Sequence, residues 1–558
     1  MDTFTDQASV CNPAAAHKVP CARPGRLLPA LLLGAVALVL ARSEVSRAQP
    51  DAPTAPAPAT VEHVIVVYLE NRTVDHLYSG LAGVDGIFSP GGRVPQVDRN
   101  GKVYPTLPRA LFSLTYQGLG APVDALPGLP DPRFPTGLPN EPFAIEPYVP
   151  LNHLVGTPVH RFYEHQLQMN GGKMDKFVAW SDSGALVMGT FDTTKLPLYP
   201  YARDYTFADH FFTAAFGGSW LNHMWLVCAC TPRWENAPAE FVSKPIYDDA
   251  GNLVGIDDNE RALVTPDGYV VNTQPESFYP PFTAGVPDDR RMPPSPLPTI
   301  GERLTGAGVS WAEFNGGWTD ALAGHDDQPL PFVNMPPLSS FVYFEPYGPD
   351  SAARAEHVKD ETDFIPTLID GTLPAVSIVK PADAFQEHPG YSNVVEAENH
   401  VVELIEAVRL SRFWDSSVIF VTYDDFGGWY DHVAPPTGDR WGPGGRVPML
   451  IISPLAKKGF VDHTFYDTTS ILSFIEARWN LDPLTVRDQR ADPFTNAFPE
   501  PVAVRPAGAT PAPVAADLLT PPMQPAAARP LPWNIVRAVG LLVVGIAFVW
   551  RWRRGRRR

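Results

Sequence analysis

Two adjacent carboxylates, Asp424 and Asp425, follow a predicted buried strand in the stretch SSVIFVTYDDFGGWYDHVAPP, residues 416–436. The β-branched and aromatic run at 418–422 is typical of such a strand. Ionised carboxylates are costly to bury unless a cation or strong hydrogen bonds neutralise them. The pair therefore suggests a divalent metal site, and a solvated Asp-Gly-Gly turn is the alternative interpretation.

Two other segments carry side chains suited to the same chemistry. The apolar run at 61–69 predicts a first parallel strand, and it ends at Glu70 and Asn71. Open α/β sheets bind ligands beyond the carboxyl ends of their strands. Further along, residues 217–222 read GGSWLN, where two glycines permit a sharp turn that leaves the Ser219 hydroxyl exposed as a candidate nucleophile. The Gly-x-Ser-x-Gly elbow of α/β-hydrolases is missing from the sequence.

Strand and helix patterns alternate along the chain, which predicts an α/β fold with a mostly parallel central sheet flanked by helices. Proline-rich and glycine-rich stretches with little periodicity predict long loop insertions over the C-terminal edge of the strands. We expect further strands at 308–315, 373–381 and 447–453, helices at 400–413 and 466–479, and insertions at about 93–152 and 232–298.

These motifs resemble those of the bacterial phosphoesterase family that holds phosphocholine-type phospholipases C and acid phosphatases. Residues 70–76 (ENRTVDH) are similar to E-N-R-S-x-D-H, and 423–433 (YDDFGGWYDHV) are similar to Y-D-E-H-G-G-F-Y-D-H-V. Residues 218–222 (GSWLN) stand in the place of the G-[ST]-x-x-N nucleophile loop. Matches at 171–177, 387–391 and 441–448 extend the ordered series over about residues 61–498.

The resemblance implies an alkaline-phosphatase-like α/β fold and hydrolysis of phosphate esters through a phosphoserine intermediate. A divalent metal would lower the pKa of the serine hydroxyl and stabilise the transferring phosphoryl group, and a histidine can protonate the leaving oxygen. The implied roles are Ser219 as nucleophile, Glu70, Asn71, Asp424 and Asp425 as ligands or neighbours of one divalent ion, Asn222 as a phosphate contact, and His160 and His388 as catalytic residues lining the site.

The sequence departs from the family in two places. The aromatic segment 341–344 follows Ser339 and Ser340, whereas the acid phosphatases carry a His-His pair shortly before it. Phe426 replaces the usual polar residue after the acids. Three functions stay open: an acid-phosphatase-like monoesterase, a phospholipase C-like diesterase, and a non-catalytic surface binding protein on the same scaffold. The resemblance implies a small-molecule or phospholipid substrate, and it leaves the identity of the metal open.

Net charge and hydrophobic content limit the classes of protein to which this chain can belong. The 558 residues are 44% hydrophobic, which is ample for a large core. The net charge is −18 although residues 551–558 alone hold six arginines, so the remaining chain is strongly acidic. An acidic domain argues against nucleic-acid binding, which requires a basic face.

Both ends of the chain carry sequence patterns typical of targeting segments. Arg23 and Arg26 precede an apolar run at 27–41, the pattern of a secretory signal. A second apolar run flanked by tryptophans precedes the arginine tail and predicts a membrane anchor with that tail in the cytoplasm, unless the tail is processed after export. The predicted organisation is a signal peptide (1–48), a Pro/Ala linker (49–60), the phosphoesterase domain (61–498), a Pro/Ala-rich linker (499–532), a transmembrane helix (533–550) and a basic tail (551–558).

We therefore expect an exported domain in the periplasm or at the cell surface, tethered to the membrane by the C-terminal helix. Within that domain, Cys228 and Cys230 are separated by one residue. Because this spacing strains a disulfide, a pair of buried thiols is the first interpretation and a labile bridge the second.

Overall fold

The computed structural model describes residues 61–113, 127–257, 261–281, 285–324 and 339–499. The predicted signal peptide, the N-terminal linker, the C-terminal linker beyond residue 499, the transmembrane helix and the basic tail lie outside the described residues. No helix in the described part of the chain combines the length and the apolar character needed to cross a bilayer.

The secondary structure alternates as predicted over most of the described chain. The strands are β1 His63–Leu69, β2 Phe143–Ala144, β3 Gly189–Thr190, β4 Thr206–Ala208, β5 Phe211–Phe212, β6 Pro245–Tyr247, β7 Leu253–Ile256, β8 Trp311–Asn315, β9 Val358–Asp360, β10 Val376–Lys380, β11 Ser417–Tyr423, β12 Met449–Ile452, β13 Phe460–Asp462 and β14 Tyr466–Asp467. The α-helices are α1 Val74–Leu77, α2 Phe162–Met169, α3 Tyr199–Asp204, α4 Ser219–Cys228, α5 Ile300–Gly306, α6 Trp318–Leu322, α7 Ala352–His357, α8 Phe364–Asp370, α9 Val394–Leu410, α10 Thr468–Trp479 and α11 Val486–Arg490.

One eight-stranded sheet forms the centre, in the order β13-β4-β12-β11-β1-β10-β8-β9. Every neighbouring pair in it is parallel except the two that β12 makes, with β11 and with β4. Both β1 and β11 are buried along nearly their whole length, as expected for strands covered on two faces. The predicted α/β fold with a mostly parallel central sheet is confirmed.

Two helices begin at different residues from those predicted, and in each case a side chain fixes the start. The helix predicted at 400–413 is Val394–Leu410, because the Asn393 side chain accepts a hydrogen bond from the Glu396 amide and caps it earlier. The helix predicted at 466–479 begins at Thr468, because Asp467 is its N-cap and forms strand β14 with Tyr466.

The described parts of the two insertions consist mostly of loops with short strands. Strand β2 pairs with β3, and β6 and β7 form an antiparallel pair. Both insertions contact the motif segments at this end of the sheet: the Trp220 amide at the start of α4 donates to Thr273 Oγ1 at 2.9 Å, and the Val94 amide donates to the hydroxyl of Tyr430, after β11, at 3.0 Å. They therefore cover the carboxyl-terminal edge of the sheet.

Cys228 and Cys230 form a disulfide in the structure, so the first interpretation, a pair of free thiols, is wrong. The bridge lies where α4 ends, and Ala229 between the cysteines takes the left-handed conformation with φ of 47°. This turn brings the two Cα atoms to 5.1 Å, within the usual range for a disulfide.

Candidate active site

Ser219 is the first residue of the ten-residue helix α4 and follows a turn made by Gly217 and Gly218. Gly217 has φ of +90°, and a Cβ there would lie 2.7 Å from main-chain atoms of Phe162. A Cβ on Gly218 would lie 2.9 Å from the His160 carbonyl oxygen. The glycines thus allow the close approach that places the serine at the helix N-terminus, where unpaired amides favour a bound anion.

The variant Gly217→Ala is expected to lose about 2 kcal/mol or more of unfolding free energy, because the new methyl group meets main-chain atoms at a left-handed φ. The matched control is Gly137→Ala, since Gly137 has φ of +76° but no atom within 4 Å of the added Cβ. The control should lose only about 1 kcal/mol. Chemical denaturation of both variants measures the difference, and equal losses would contradict the steric explanation.

The Ser219 hydroxyl lies among oxygen atoms from two neighbouring strand ends. Its Oγ is 2.9 Å from Glu70 Oε2, 3.1 Å from Asp425 Oδ2 and 3.4 Å from Asn71 Oδ1. Strands β1 and β11 are paired up to their last residues, so the side chains that follow them emerge side by side. A single hydroxyl proton cannot serve three acceptors, which leaves the cluster rich in oxygen lone pairs.

Asp424 completes the group and has an unsatisfied atom. Its Oδ1 accepts from the amides of Asn71 at 3.1 Å and Asp425 at 2.7 Å. Its Oδ2 is buried and has no hydrogen-bond partner among the described residues, and the same holds for His223 Nε2, 3.8 Å away. His223 Nε2 is also 3.8 Å from Glu70 Oε1, so the side chains of Glu70, His223 and Asp424 face one small space.

The buried Lys380 lies at the end of β10, the other neighbour of β1, and its Nζ is 2.5 Å from Glu70 Oε1. Burial opposes ionisation of Glu70, but Lys380 and His223 outweigh it and hold the pKa of Glu70 well below its usual range. Burial and the charge of Glu70 raise the pKa of Asp424 well above its usual range. Burial is also the main cause that raises the pKa of Asp425 to about 6.

These residues fit a divalent cation. The carboxylates of Glu70, Asp424 and Asp425, when ionised beside the one ammonium of Lys380, carry a net charge of −2. A divalent ion would balance this charge and would engage the unpartnered Asp424 oxygen. Carboxylate and amide oxygens suit a hard cation, whereas the His223 nitrogen also admits zinc.

The Asn71 amide lies between the Asp425 carboxylate and two histidines. One orientation directs its nitrogen at Asp425, at 3.0 and 3.1 Å, and its oxygen at His388 Nε2, at 2.7 Å. However, His388 Nδ1 donates to the Pro389 carbonyl, and burial lowers the pKa of His388 to about 3, so the neutral ring presents a lone pair at Nε2. That lone pair favours the opposite orientation, in which the amide oxygen faces Ser219 and Asp425 and is available to a cation.

His160 and His388 line the same space, with ring centroids 6.0 Å apart. His160 Nε2 is 3.4 Å from the Asn71 amide, and its Nδ1 is 2.6 Å from the Pro158 carbonyl. Both predicted histidines therefore lie beside Asn71, the neighbour of the nucleophile.

The Asn222 side chain, for which the resemblance implies a phosphate contact, lies against the turn that precedes Ser219. Its Oδ1 accepts from the Ala215 amide at 3.0 Å, and its Nδ2 donates to the carbonyls of Ala215 at 3.3 Å and Gly218 at 3.4 Å. The side-chain amide thus holds the turn that precedes Ser219.

The place of the missing His-His pair is taken by serines that approach the site. Ser340 Oγ is 3.4 Å from His223 Nδ1. The buried Glu313 fixes this segment, because it accepts from Ser339 Oγ at 2.6 Å and from the Ser340 amide at 2.9 Å. Phe426, the second departure, stacks on His165 with ring centroids 3.6 Å apart.

Sequence reasoning missed His223 and Lys380. His223 stands four residues after Ser219 on α4, and this spacing places both on one face of a helix, so a signal was present. The sequence signal for Lys380 was weaker, because it consists only of a charged residue at the end of an apolar strand. Its position beside Glu70 follows from the pairing of β10 with β1, which the sequence does not reveal.

This chain is similar to known proteins over most of its length. The model of the phosphoesterase family matches residues 61–482. A non-hemolytic phospholipase C from Burkholderia pseudomallei is 26% identical over 482 residues, which cover 78% of this chain and 57% of that protein. Phospholipase C B from Mycobacterium tuberculosis is 25% identical over 492 residues, covering 78% of this chain and 77% of that protein.

A solved structure of an alkaline phosphatase superfamily protein from Vibrio parahaemolyticus is 9% identical, with a TM-score of 0.30, and the match covers 55% of this chain and 65% of that one. The alignment spans less than two thirds of the Burkholderia protein, so that protein's activity is not transferred to the chain by likeness alone. The family match, in contrast, covers about three quarters of the 558 residues. The chain therefore belongs to the phosphoesterase family.

Proposed function

We propose that the protein hydrolyses phosphate esters with Ser219 as the nucleophile and a phosphoserine intermediate. The observation that carries the proposal is the position of the Ser219 hydroxyl, 2.9 Å from Glu70 and 3.1 Å from Asp425 at the N-terminus of α4. Membership of the phosphoesterase family supports a hydrolase that acts on phosphoric esters.

In the first step, Ser219 Oγ forms a bond to phosphorus while the bond from phosphorus to the leaving oxygen breaks. The serine proton passes to a carboxylate, for which Asp425 is suited because its Oδ2 lies 3.1 Å from Ser219 Oγ. The amides of the first turn of α4 face the phosphoryl oxygens. Water then cleaves the phosphoserine, releasing phosphate and restoring the hydroxyl.

One divalent ion would be held by Glu70, Asn71, Asp424 and Asp425, with His223 as an additional ligand. When bound, such an ion stabilises a serine alkoxide and neutralises charge on the transferring phosphoryl group. Lys380 keeps Glu70 ionised, and therefore ready to bind, through the 2.5 Å contact between them.

The leaving oxygen needs a proton, and His160 suits this role better than His388. Burial lowers the pKa of His388 to about 3, so its ring is neutral near pH 7 and serves to orient the Asn71 amide. His160 is only partly buried, and its Nε2 is 3.4 Å from the same Asn71 amide, so when this nitrogen carries a proton it can pass it to an exposed leaving group.

A second candidate activity is that of a phosphodiesterase of the phospholipase C type. The matched relatives carry that name. A phosphomonoester dianion is commonly bound by a free arginine, but Arg72, which follows the Glu-Asn pair, donates to the Glu387 carbonyl at 2.8 Å and lies 2.9 Å from His76. A diester carries one negative charge and needs less compensation.

The two activities are separated by one experiment. Dialysis against a chelator should abolish hydrolysis of p-nitrophenyl phosphate and p-nitrophenyl phosphorylcholine, and one of Mg²⁺, Mn²⁺, Ca²⁺ or Zn²⁺ should restore it. A higher kcat/KM on the phosphorylcholine ester selects the diesterase, and a higher value on the monoester selects the acid-phosphatase-like enzyme. No turnover of either ester with any metal would favour the non-catalytic scaffold instead.

We also propose, from the sequence alone, that the domain is exported and held at the membrane by residues 533–550. Fractionation of expressing cells should find the protein in the membrane fraction, and truncation after residue 499 should release it. A full-length protein found in the soluble fraction would contradict the anchor.

A further inference from the structure

A second group of metal-binding side chain types follows β4 and β13, the two strands at one edge of the sheet. Strands β4 and β13 are parallel neighbours, so the residues that follow them leave the sheet at the same end. Asp209 and His210 follow β4 directly, and His463 follows β13. We call Asp209, His210 and His463 the edge cluster.

The edge cluster has the geometry of a metal site. Each residue offers one ligand atom, and the three atoms lie within 4.8 Å of one another. His463 Nδ1 is 2.8 and 3.0 Å from the two Asp209 carboxylate oxygens. Asp85, from the loop after α1, adds a carboxylate: its Oδ2 is 3.4 Å from His210 Nε2, and its amide donates to Asp209 Oδ2 at 2.8 Å.

A neighbouring cluster of the same residue types shows what distinguishes the edge cluster. Asp75 and Asp431 also lie beside a histidine, but Arg446 supplies the positive charge there. Arg446 Nε is 3.0 Å from Asp431 Oδ1, and Arg446 Nη2 is 3.1 Å from Asp75 Oδ1. The protein's own guanidinium therefore occupies the place that a metal ion would take in that cluster.

Among the described residues, no lysine or arginine forms an ion pair with a side chain of the edge cluster. Arg446 Nη1 turns to main-chain carbonyls, those of Asp85 at 2.7 Å and Asp209 at 3.2 Å. Among the ion pairs that the described residues form, the side chains of Asp85 and Asp209 pair only with histidines. A buried carboxylate such as Asp209 is costly to keep ionised without a firm cationic partner.

Accessibility and an unsatisfied atom also point to a ligand. His210 Nε2 is buried and makes no hydrogen bond within the described part of the chain. The His463 side chain is 56% exposed, so an ion can reach the group from solvent. Two imidazoles with one or two carboxylates are a donor set for zinc and similar transition metals, whereas Ca²⁺ and Mg²⁺ prefer oxygen ligands alone.

We propose that Asp209, His210 and His463, with Asp85 beside them, bind a second divalent transition metal ion, of which zinc is the type. The ion joins the two edge strands to the loop that carries Asp85. Its role is structural, because its ligands follow β4 and β13, which β12 separates from the strand that carries Asp424 and Asp425.

The test is titration of the metal-depleted full-length protein with Zn²⁺ alone, followed by calorimetry. The wild type should bind one equivalent of Zn²⁺ more than the double variant His210→Gln/His463→Gln. In the double variant, the affinity of the edge cluster for Zn²⁺ should fall at least a hundredfold. His400→Gln is the matched control, because His400 pairs with a carboxylate, Glu361, at 2.5 Å and belongs to none of the metal-type clusters of the described residues. The control should bind as the wild type does.

Two further variants separate this proposal from the active-site proposal. The variant Asp424→Asn should still bind one equivalent of Zn²⁺ at the edge cluster, whether or not it binds metal beside Ser219. The single variant His463→Gln, at a largely exposed position, should lose the edge-cluster zinc equivalent with unchanged unfolding in the absence of metal. Equal zinc binding by wild type and double variant, or no zinc binding by the wild type, would overturn the proposal.

Discussion

Replacement of Ser219 by alanine is expected to lower kcat/KM for p-nitrophenyl esters at least a thousandfold, which is about 4 kcal/mol of transition-state stabilisation. The reason is direct: Ser219 Oγ is the only nucleophile candidate that touches both Glu70 and Asp425 among the described residues. Stopped-time assays of phosphate or p-nitrophenol release measure the loss. Acid quenching of the wild type with labelled substrate should trap a phosphate on Ser219.

The matched control is Ser377→Ala. Ser377 is fully buried on β10, three residues before Lys380, and its hydroxyl has no hydrogen-bond partner among the described residues. Its removal should leave the rate within about twofold of the wild type, because no interaction is lost. A Ser219→Ala variant that retains most of the wild-type rate, with the control equally active, would contradict a serine nucleophile.

The variant Asp424→Asn is expected to change stability in opposite directions with and without metal. In the metal-free protein it removes a buried carboxylate whose pKa burial and the charge of Glu70 raise well above its usual range, so unfolding free energy should increase by about 1 kcal/mol or more. With metal present, the variant lacks a charged ligand, and its metal affinity and hydrolysis rate should each fall at least about a hundredfold.

Thermal unfolding at pH 7, before and after chelation, measures the two effects. Asp488→Asn is the control, because Asp488 is also buried but accepts hydrogen bonds from the Leu484 and Thr485 amides at 2.6 and 2.8 Å. That change should lower stability equally in both states. If Asp424→Asn is less stable than the wild type without metal, and binds metal as tightly, then Asp424 is not part of a cation site.

Both predictions depend on charge balance around one space, and two features of the site depend on it as well. The first feature is the orientation of the Asn71 amide, whose oxygen faces either the proposed cation site or His388 Nε2. The second feature is Lys380, whose charge lowers the pKa of Glu70 and so favours its ionised form at the proposed cation site. A Lys380→Met variant would therefore be a useful companion to Asp424→Asn.

Residue types and their local spacing were enough to predict the chemistry available at the strand ends. Local patterns sufficed for β1 and β11, because apolar runs covered on both faces read directly as buried strands. They also sufficed for the Gly217-Gly218 turn, since only glycine tolerates its close contacts. The polar residues after those elements, Glu70, Asp425 and Ser219, followed from the same reading.

Which of these groups meet depends on how the strands pair in the folded protein. Asn71 and Asp424 are 353 residues apart in the chain, yet the Asn71 amide nitrogen is 3.1 Å from Asp424 Oδ1. The pairing of β1 with β11 fixes this contact. Strand pairing also placed Lys380 beside Glu70, reversed β12 in a sheet expected to be mostly parallel, and assembled the edge cluster from β4 and β13. Residue types and spacing encode local conformation, whereas such contacts depend on the free energy of packing the whole sheet, which no single segment contains.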